Sequence, residues 1–400
     1  MKRFYNLADE IKKAREKSNS SSSSEEKVVN YVDEPTKKVY ENYGGETKLV
    51  LDVEQDKCPN CGASVIFNPK TQKLYCQYCN SEYEIASQKS VERVLDFSLD
   101  KAVKWNDETR VSHCDSCGAE FVFDKDEFAK ECPFCKSPSI TRIEDIEGIR
   151  PNAVLPFRLT KSEAKECYQK WIKGKIFAPT AFRKSHIDDN FKGIYSPSWT
   201  YDTKTSSFYR GVVGDYYYVT VGSGKNRHTE RRVRYRKVSG HHEAIFDDIN
   251  INSSRHIDDR TFNKLKPFNT KDSVEYKRQY LAGYTAEHYK KSLNAGWAEA
   301  LNVINNSIRS GIIASLHCDV VSSLDITTQY NDKTFKYVLL PIYVTLHVFK
   351  QKPYYTYING SSGKTVGKAP VSVPKVVGFI LGLLSGLALV TFLLDFLQII

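Results

Sequence analysis

The sequence lacks the marks of an exported protein and of a small disulfide scaffold. After Lys2 and Arg3 there is no apolar stretch of about 7–15 residues of the kind that forms the core of a signal peptide. Ten cysteines in 400 residues are too few for a small disulfide-stabilised fold. We therefore expect the amino terminus and the cysteines to stay in the reducing compartment where the chain is made.

Recognised catalytic motifs are missing as well. The sequence has no G-x-S-x-G, no H-E-x-x-H and no paired-carboxylate signature. Gly363-Lys364-Thr365 resembles the end of a phosphate-binding loop, but Ile358 replaces the glycine required five positions earlier. The surrounding segment is typical of a hairpin turn between strands. We therefore predict that the protein is not an enzyme, with an unrecognised active site in residues 150–370 as an alternative.

The overall amino-acid composition is that of an ordinary globular protein. Its 40% hydrophobic and 26% charged residues exclude wholesale disorder, and 400 residues favour about two or three domains. Lys and Arg exceed Asp and Glu by 58 to 48, and the charge of +10 permits an anionic partner without requiring one. The mean hydropathy is negative, although this average hides one long apolar segment.

An internal repeat carries eight of the ten cysteines. Each copy has the pattern C-x2-C-x14-C-x2-C, and equivalent cysteines lie 56 residues apart. Two C-x2-C turns, brought together by a hairpin in the spacer, supply four thiolates to one tetrahedral ion. The predicted ligands of two structural zinc ions are Cys58, Cys61, Cys76, Cys79, Cys114, Cys117, Cys132 and Cys135.

Disulfides and redox-active pairs are the alternatives to zinc. Disulfides need an oxidising compartment, and a thioredoxin-type C-x-x-C occurs once beside a βαβ pattern rather than as two paired sets. Four cysteines per site favour a closed structural site, because a catalytic zinc ion keeps one open position. Gly62, Gly118 and Asn80 follow three of the four C-x2-C turns and tolerate a positive φ, whereas Lys136 follows the fourth.

Residues 148–372 are predicted to form one α+β domain with antiparallel strands. Thr160 and Glu163 have the spacing of a capping box, which predicts a helix that begins after Thr160. Apolar residues at helical spacing predict a longer helix over 285–314. Strand-like patterns on both sides of a Gly-Ser-Gly turn predict a strand pair within 191–251.

The last part of the chain is one long apolar run. Residues 376–394 contain no charged side chain and as a helix span roughly 28 Å, close to the hydrocarbon thickness of a bilayer. A core helix is the alternative, but it needs a domain around it. We predict a transmembrane helix over 373–400. Lys364, Lys368 and Lys375 lie just before it, so the positive-inside rule predicts a cell-membrane protein with its body in the cytoplasm.

Three glycines of the apolar run repeat at intervals of four residues. Gly378, Gly382 and Gly386 share one face of a helix and would permit close approach of a second span. Simple tolerance of glycine in spanning helices is the alternative. The sequence therefore leaves open a homo-oligomer that forms through this glycine face.

A basic segment carries more than half of the net charge. Residues 225–237 contain one Glu and seven basic residues, which are Lys225, Arg227, Arg231, Arg232, Arg234, Arg236 and Lys237. In a strand, Arg232, Arg234 and Arg236 lie on the face opposite Val233 and Tyr235. The segment fits a solvated strand face, a contact with nucleic-acid phosphates, or a contact with anionic lipid headgroups near the anchor.

Several segments together resemble a family of bacterial membrane proteins with tandem zinc ribbons. They are the two cysteine repeats, IYSPSWTYD, KPFNTKDSVEYKRQYLAGYTAEHY, LLPIYVTLHV and YYTYINGSSGKTVGKAPVSVPK, spread over residues 55–375. The ribbons of this family are similar to those of general transcription factor IIB and of the primosomal replication-restart helicase. A helicase motor has no counterpart in this sequence, so the resemblance implies an architecture rather than a helicase activity.

These patterns divide the chain into six parts. They are a flexible segment 1–50, a zinc ribbon 51–90, a linker 91–110, a second zinc ribbon 111–147, an α+β domain 148–372 and a transmembrane helix 373–400. We expect the ribbons to project at the end of the flexible segment. The leading hypothesis is a membrane-anchored scaffold whose ribbons contact a protein partner. The alternative is a membrane-tethered nucleic-acid-binding protein that uses the ribbons and the basic strand pair.

Overall fold

The computed structural model of the protein describes residues 32–33, 38–43, 46–51, 57–100, 109–124, 132–135, 137–143, 148–184 and 191–396. The chain divides into two compact units, Met1–Asp52 and Val53–Ile400. The described part of the first unit is an antiparallel sheet of β1 (Val32–Asp33), β2 (Lys38–Tyr43) and β3 (Glu46–Leu51). These strands fall within or next to the segment 1–50 that is predicted to be flexible, and residues 1–31 of that segment lie outside the described residues.

The second unit has a mixed α+β fold with antiparallel strands, which confirms the predicted fold class. Its described residues contain five α-helices and several single 3-10 turns. The helices are α1 (Lys161–Lys173), α2 (Thr180–Lys184), α3 (Asp259–Leu265), α4 (Leu293–Leu316) and α5 (Val373–Phe396).

Two sheets make up the β-structure of the second unit. A small antiparallel sheet contains β4 (Val65–Asn68), β5 (Lys73–Cys76) and β6 (Glu82–Tyr83). A twelve-stranded mixed sheet contains β7 (Arg93–Val94), β8 (Thr109–Cys114), β9 (Glu120–Asp124), β10 (Ile140–Ile143), β11 (Ala153–Val154), β12 (Lys192–Val221), β13 (His228–Asn252), β14 (Val274–Glu275), β15 (Thr285–Glu287), β16 (Val320–Phe349), β17 (Lys352–Asn359) and β18 (Thr365–Gly367).

Three strands of the large sheet form a long antiparallel arm. Strand β12 has 30 residues, β13 has 25 and β16 has 30, whereas strands of globular proteins usually have about 5–6. β12 is central, and its register with both neighbours is irregular next to Asp202. We call the part beyond this irregularity, residues 203–246 and 320–334, the arm. Its strands are rich in the β-branched and aromatic residues that favour pleated structure.

Helix α4 covers one face of the arm. Its buried side is a stripe at helical spacing that includes Ile304, Ile308 and Ile312. At one end the Tyr201 hydroxyl donates a hydrogen bond to the Leu293 carbonyl at 2.8 Å, and at the other the Arg236 guanidinium donates to the Leu316 carbonyl at 2.7 Å. A helix of 24 residues is about 36 Å long, so α4 supports the arm over that length.

The predicted start of helix α1 is confirmed. The Glu163 backbone N–H donates to the Thr160 hydroxyl at 3.3 Å, and the Thr160 N–H donates to the Glu163 carboxylate at 2.9 Å. This capping box satisfies two N–H groups that the first turn of a helix leaves without intrahelical partners.

The longer helix begins later than the sequence predicts. Residues 285–287 form β15, and α4 starts at Leu293 behind Ser292, whose hydroxyl accepts from the Ala295 N–H at 3.2 Å. β15 pairs with β9 on one side and with β12 on the other. In these pairings the backbone N–H and C=O groups of β15 bond to distant strands, whereas in a helix they would bond within the segment. The hydrophobic periodicity of a segment cannot predict such distant partners.

Helix α5 is long and apolar enough to cross a membrane. The apolar stretch runs over Val373–Leu393, and none of it is buried against the rest of the protein. The alternative of a core helix therefore does not apply. Its first turns are joined to the body, because the Lys375 ammonium donates to the Ala178 carbonyl at 2.7 Å and the ring of Phe379 lies 5.3 Å from that of Phe177.

Candidate metal centres

Centre 1 consists of Cys58, Cys61, Cys76 and Cys79. The Sγ atoms of Cys58 and Cys79 lie 3.4 Å apart, those of Cys61 and Cys76 lie 3.5 Å apart, and all four lie within 4.8 Å of one another. A disulfide bond would require a distance of about 2.05 Å. Four sulfurs around a tetrahedral ion with bonds of about 2.3 Å are separated by about 3.8 Å. Centre 1 can therefore hold a metal ion.

Centre 2 consists of Cys114, Cys117, Cys132 and Cys135 and repeats this arrangement. The Sγ atoms of Cys114 and Cys135 lie 3.5 Å apart, and those of Cys117 and Cys132 lie 3.6 Å apart. In both centres the first cysteine faces the fourth and the second faces the third. The structure thus brings together each set of four ligands that the sequence predicts.

Tight backbone turns aim the cysteines at each centre. Gly62 and Gly118 have φ values of +74° and +72°, and their N–H groups donate to the carbonyl of the first cysteine of each repeat at 2.8 and 2.7 Å. Asn80 takes the same left-handed conformation at φ 58°. Glycine and asparagine adopt this conformation at little cost. Lys136, which follows the fourth turn, lies outside the described residues.

The hairpin of centre 1 packs on the body of the protein. The ring of Phe67 lies 5.4 Å from that of Tyr280, and the Phe67 N–H donates to the Ala282 carbonyl at 2.9 Å. The Gln72 side chain donates to the Phe157 carbonyl at 2.8 Å. These contacts fix centre 1 against the domain, so the prediction that the first ribbon projects is wrong.

Centre 2 is built into the large sheet and its core. Strand β9, which follows the first C-x2-C turn, pairs with β15. Cys114 and Cys132 are completely buried in the same apolar cluster as Phe262 and Leu340. Phe134 stacks on His256 with 4.1 Å between ring centroids. The prediction of a projecting second ribbon is therefore also wrong, and the residues of centre 2 are part of the domain core.

The thiols of centre 1 cannot all ionise easily without a cation. Burial opposes ionisation of Cys58, but hydrogen bonds from the Tyr83 hydroxyl, 3.2 Å from its Sγ, and from the Asn60 N–H lower its pKa to about 6. At Cys61 the Ala63 N–H favours the thiolate, whereas burial and the neighbouring thiols raise the pKa to about 12. A bound cation removes this mutual repulsion, which is the chemistry of a tetrathiolate metal site.

The predicted basic residues lie together at the far end of the arm. Residues 225–237 form the turn after β12 and the first part of β13, and all seven basic side chains are exposed. Both metal centres pack at the opposite end of β12, where β15 pairs with Ile194 and Tyr195. The structure therefore does not bring the metal centres and the basic segment together.

The three glycines of α5 lie on an open helix. A Cβ atom added at Gly378, Gly382 or Gly386 would have no contact within 4 Å. The face is therefore accessible to a second span, and the predicted self-association stays a prediction.

An ionic network at the base of the arm, centred on the buried side chains of Lys336 and Asp248, was not found by sequence reasoning. The Lys336 ammonium lies 2.9 Å from an Asp248 carboxylate oxygen and 3.4 Å from one of Glu92. Glu92, Asp202 and Asp247 offer carboxylate oxygens within 4.8 Å of one another. The lysine already supplies positive charge there, so the group is an ion-pair network. Its members come from distant segments, and no local spacing signals them.

A cleft of about 520 Å³ lies between β13, α3 and α4. On one side the Lys266 ammonium donates to the Asn250 carbonyl at 2.8 Å, and burial lowers the pKa of this lysine. On the other side Lys291 forms ion pairs with Asp259 at 3.2 Å and with Glu299 at 2.8 Å. The cleft has the size of a small-molecule site, and these charged groups are engaged with protein partners.

The described residues thus contain two groups of four cysteines that could each hold a metal ion, on an α+β body that is followed by one long apolar helix. No protein-family model matches the chain, and no solved structure matches it. The chain is 26% identical over 334 residues to the uncharacterised protein YdjG of Bacillus subtilis strain 168. The match covers 82% of this chain and 94% of that protein, so the likeness extends over most of both sequences.

Proposed function

We propose that the protein is a single-span membrane protein with a cytoplasmic body that holds two structural zinc ions and acts as a scaffold for a protein partner. The observation that carries the scaffold proposal is the arm, which extends the sheet far beyond the core. One face of the arm is covered by α4, and on the other, which we call the open face, side chains such as Ile245 and Phe208 are exposed. Such an extended face suits contact with a macromolecule better than enclosure of a small substrate.

Zinc is the proposed ion because of the ligands and their number. Each centre offers four thiols and no other ligand type, and zinc is commonly bound in closed sites made of four cysteines. The turns resemble those of tandem zinc ribbons, with a positive φ after three of the four C-x2-C motifs. Thiolate ligands also fit a reducing cytoplasm, where disulfides are rare.

The apolar helix α5 supports membrane anchoring. Its length of 24 residues corresponds to about 36 Å, which exceeds the hydrocarbon thickness of about 30 Å. Its apolar side chains are exposed all round, as in a helix surrounded by lipid. The nearby Lys364, Lys368 and Lys375 support a cytoplasmic position for the body.

The open face of the arm carries apolar groups for a partner. Ile245 is 75% exposed and Phe208 is 45% exposed. They lie on the same face, because Ile245 pairs with Lys204 and Phe208 follows Lys204 at an even spacing. Thr327 and Gln329 of β16 lie beside them and can hydrogen-bond to a protein surface. An apolar centre with a polar surround is the usual composition of a protein interface.

Site-specific photocrosslinking in intact cells tests the scaffold. A photoreactive residue at position 245 of the full chain should give a defined protein adduct in the membrane fraction. The same residue at Asn306, on the exposed side of α4, is the matched control and should not give that adduct. Substitution Phe208→Asp should abolish the adduct formed from position 245 while leaving protein abundance unchanged. Adducts that are absent at position 245, or equal at both positions, would contradict the proposal.

A further inference from the structure

The arm ends in a two-stranded ribbon. Strand β16 begins at Val320, opposite Gly214, and beyond this point β12 pairs with β13 alone. This pairing extends from Asp215 opposite Arg234 to the end of β12, where residues 222–227 form the turn. We call residues 215–237 the tip ribbon; its last three residues lie opposite 212–214, where β16 still pairs with β12. Beyond β16 the seven residues 215–221 extend roughly 23 Å. Among the described residues, no strand pairs with the β16 side of this stretch, although at its base the Tyr216 N–H donates to the Asp319 carboxylate at 2.7 Å.

The tip ribbon has a surplus of exposed positive charge. It contains seven Lys or Arg and two acidic residues, a surplus of five. Asp215 is paired with Arg236 at 3.2 Å, and Glu230 is paired with Arg232 at 3.0 Å. The other basic side chains form no ion pair with any described residue, and they are Lys225, Arg227, Arg231, Arg234 and Lys237. The surplus charge is therefore available to an anionic partner.

Tyrosine rings hold two of these arginines in place. The Arg231 guanidinium lies 4.3 Å from the centroid of the Tyr216 ring, and that of Arg234 lies 5.2 Å from the Tyr217 ring. Tyr216 and Tyr217 are consecutive in a strand, so the two pairs lie on opposite faces of the ribbon. A stacked guanidinium keeps its N–H edges free for bidentate contacts with phosphate or with a base edge.

The composition and position of the ribbon favour nucleic acid over lipid. Residues 215–237 contain no Leu, Ile, Phe or Trp, the side chains that membrane-surface elements insert between lipids. The start of β12 lies near α5. Lys192 at this start pairs with Val344 of β16, and His347, a little further along β16, contacts Phe182 of α2. Helix α2 follows Ala178, whose carbonyl accepts a hydrogen bond from Lys375 of α5. The 30 residues of β12 then carry the tip away by roughly 90 Å along the strand.

We propose that the tip ribbon binds duplex DNA, with the two strands in the major groove and the basic side chains on the phosphates. The major groove of B-DNA is about 12 Å wide and admits a two-stranded β-ribbon. The deep, narrow major groove of duplex RNA does not admit one. This inference does not depend on the proposed protein partner, which uses the open face of the arm.

Fluorescence anisotropy of a labelled duplex of about 20 base pairs, with the full chain in a neutral detergent, tests the inference. Binding should weaken steeply as salt rises. The double variant Arg231→Gln/Arg234→Gln should bind roughly tenfold or more weakly, with a log–log salt slope shallower by about two. The matched control is Lys161→Gln/Lys170→Gln, which removes the same charge from the exposed side of α1 and should leave binding unchanged. Equal thermal unfolding of both variants shows that they fold.

Four outcomes would overturn the inference. They are no duplex binding at low salt, an equal loss of binding in the control variant, equal or tighter binding of duplex RNA, and binding to vesicles of anionic lipid without binding to DNA. Loss of the photocrosslink at position 245 bears only on the scaffold proposal, so the two failures are distinguishable.

Discussion

The ammonium of Lys336 lies 2.9 Å from a carboxylate oxygen of Asp248, and only 6% and 8% of these two side chains are exposed. The pair sits where β12, β13 and β16 lose their regular register and the arm begins. Removal of water from two charges is costly, and their attraction repays that cost only while both are present. The pair therefore ties the base of the arm to one geometry.

Substitution Lys336→Met should lower the free energy of unfolding by about 3–5 kcal/mol, because Asp248 is left as a buried, uncompensated charge. The double variant Lys336→Met/Asp248→Asn should recover much of this loss. The control is Lys204→Met, whose partner Asp332 is 66% exposed, and it should cost less than about 1 kcal/mol. Denaturant unfolding measures all three. Equal losses for the two single variants would show that burial of the pair does not matter.

The carboxyl group of Asp202 makes stability depend on pH. Burial and the negative charges of Glu92 and Asp248 raise its pKa to about 6, although the Asp248 N–H and Lys336 act in the opposite direction. The folded protein therefore binds this proton more tightly than the unfolded chain, in which the pKa is 3.8. The contribution of Asp202 to stability is complete below about pH 4 and is lost as the pH rises through about 6.

The variant Asp202→Asn tests this dependence. Its free energy of unfolding should fall less than that of the wild type between about pH 4 and pH 7, since the group that titrates is gone. Denaturant titrations at a series of pH values measure the difference. Parallel pH profiles for the two proteins would contradict the assignment.

The two candidate metal centres should differ in their importance for the fold. The fourth cysteine of centre 2, Cys135, packs against the domain core, whereas its counterpart in centre 1, Cys79, is exposed. Substitution Cys135→Ser should lower the free energy of unfolding by about 3 kcal/mol or more, because it would remove a ligand of the proposed zinc ion from a site within the core. Substitution Cys79→Ser should cost clearly less. The reverse order would contradict the placement of centre 2 in the core.

Self-association through the glycine face of α5 is the fourth prediction. Gly382 lies in the middle of the three glycines, and a side chain there would prevent close approach of a second helix. Substitution Gly382→Leu should reduce crosslinked dimers in membranes several-fold. Leu384→Ala, elsewhere on the helix, is the control and should leave the dimers unchanged. If dimers persist in Gly382→Leu, the glycines serve no packing role.

The features that the sequence predicted correctly are those that depend on residues close together in the chain. The capping box is a motif of four residues, from Thr160 to Glu163, and it determines where the helix begins. The spacing of the cysteines likewise determines the members of both ligand sets. The placement of the cysteine hairpins was predicted wrongly, because it depends on contacts such as that between Phe67 and Tyr280, which lie more than two hundred residues apart in the sequence. The residues of β15 were expected to be helical, and the pairing of β15 with β9 that makes them a strand also joins distant parts of the sequence. Local periodicity contains no information about such contacts.

The arm shows a second limit of sequence reasoning. A strand pair around the Gly-Ser-Gly turn was predicted and is confirmed. The start of the third strand, β16, at Val320 was not predicted. Its first half alternates exposed and half-buried residues with few large apolar side chains, because only one face of the arm is covered. Such a pattern is weak in sequence.

The central claim is a membrane-anchored protein with two structural zinc ions, and its most direct test is the zinc content of full-length protein extracted from membranes. Elemental analysis of the detergent-solubilised protein should give about two zinc ions per chain. The variant Cys58→Ser/Cys61→Ser should retain about one. A wild-type protein that stays soluble after cell lysis, or that carries fewer than about two zinc ions with every cysteine intact, would contradict the account.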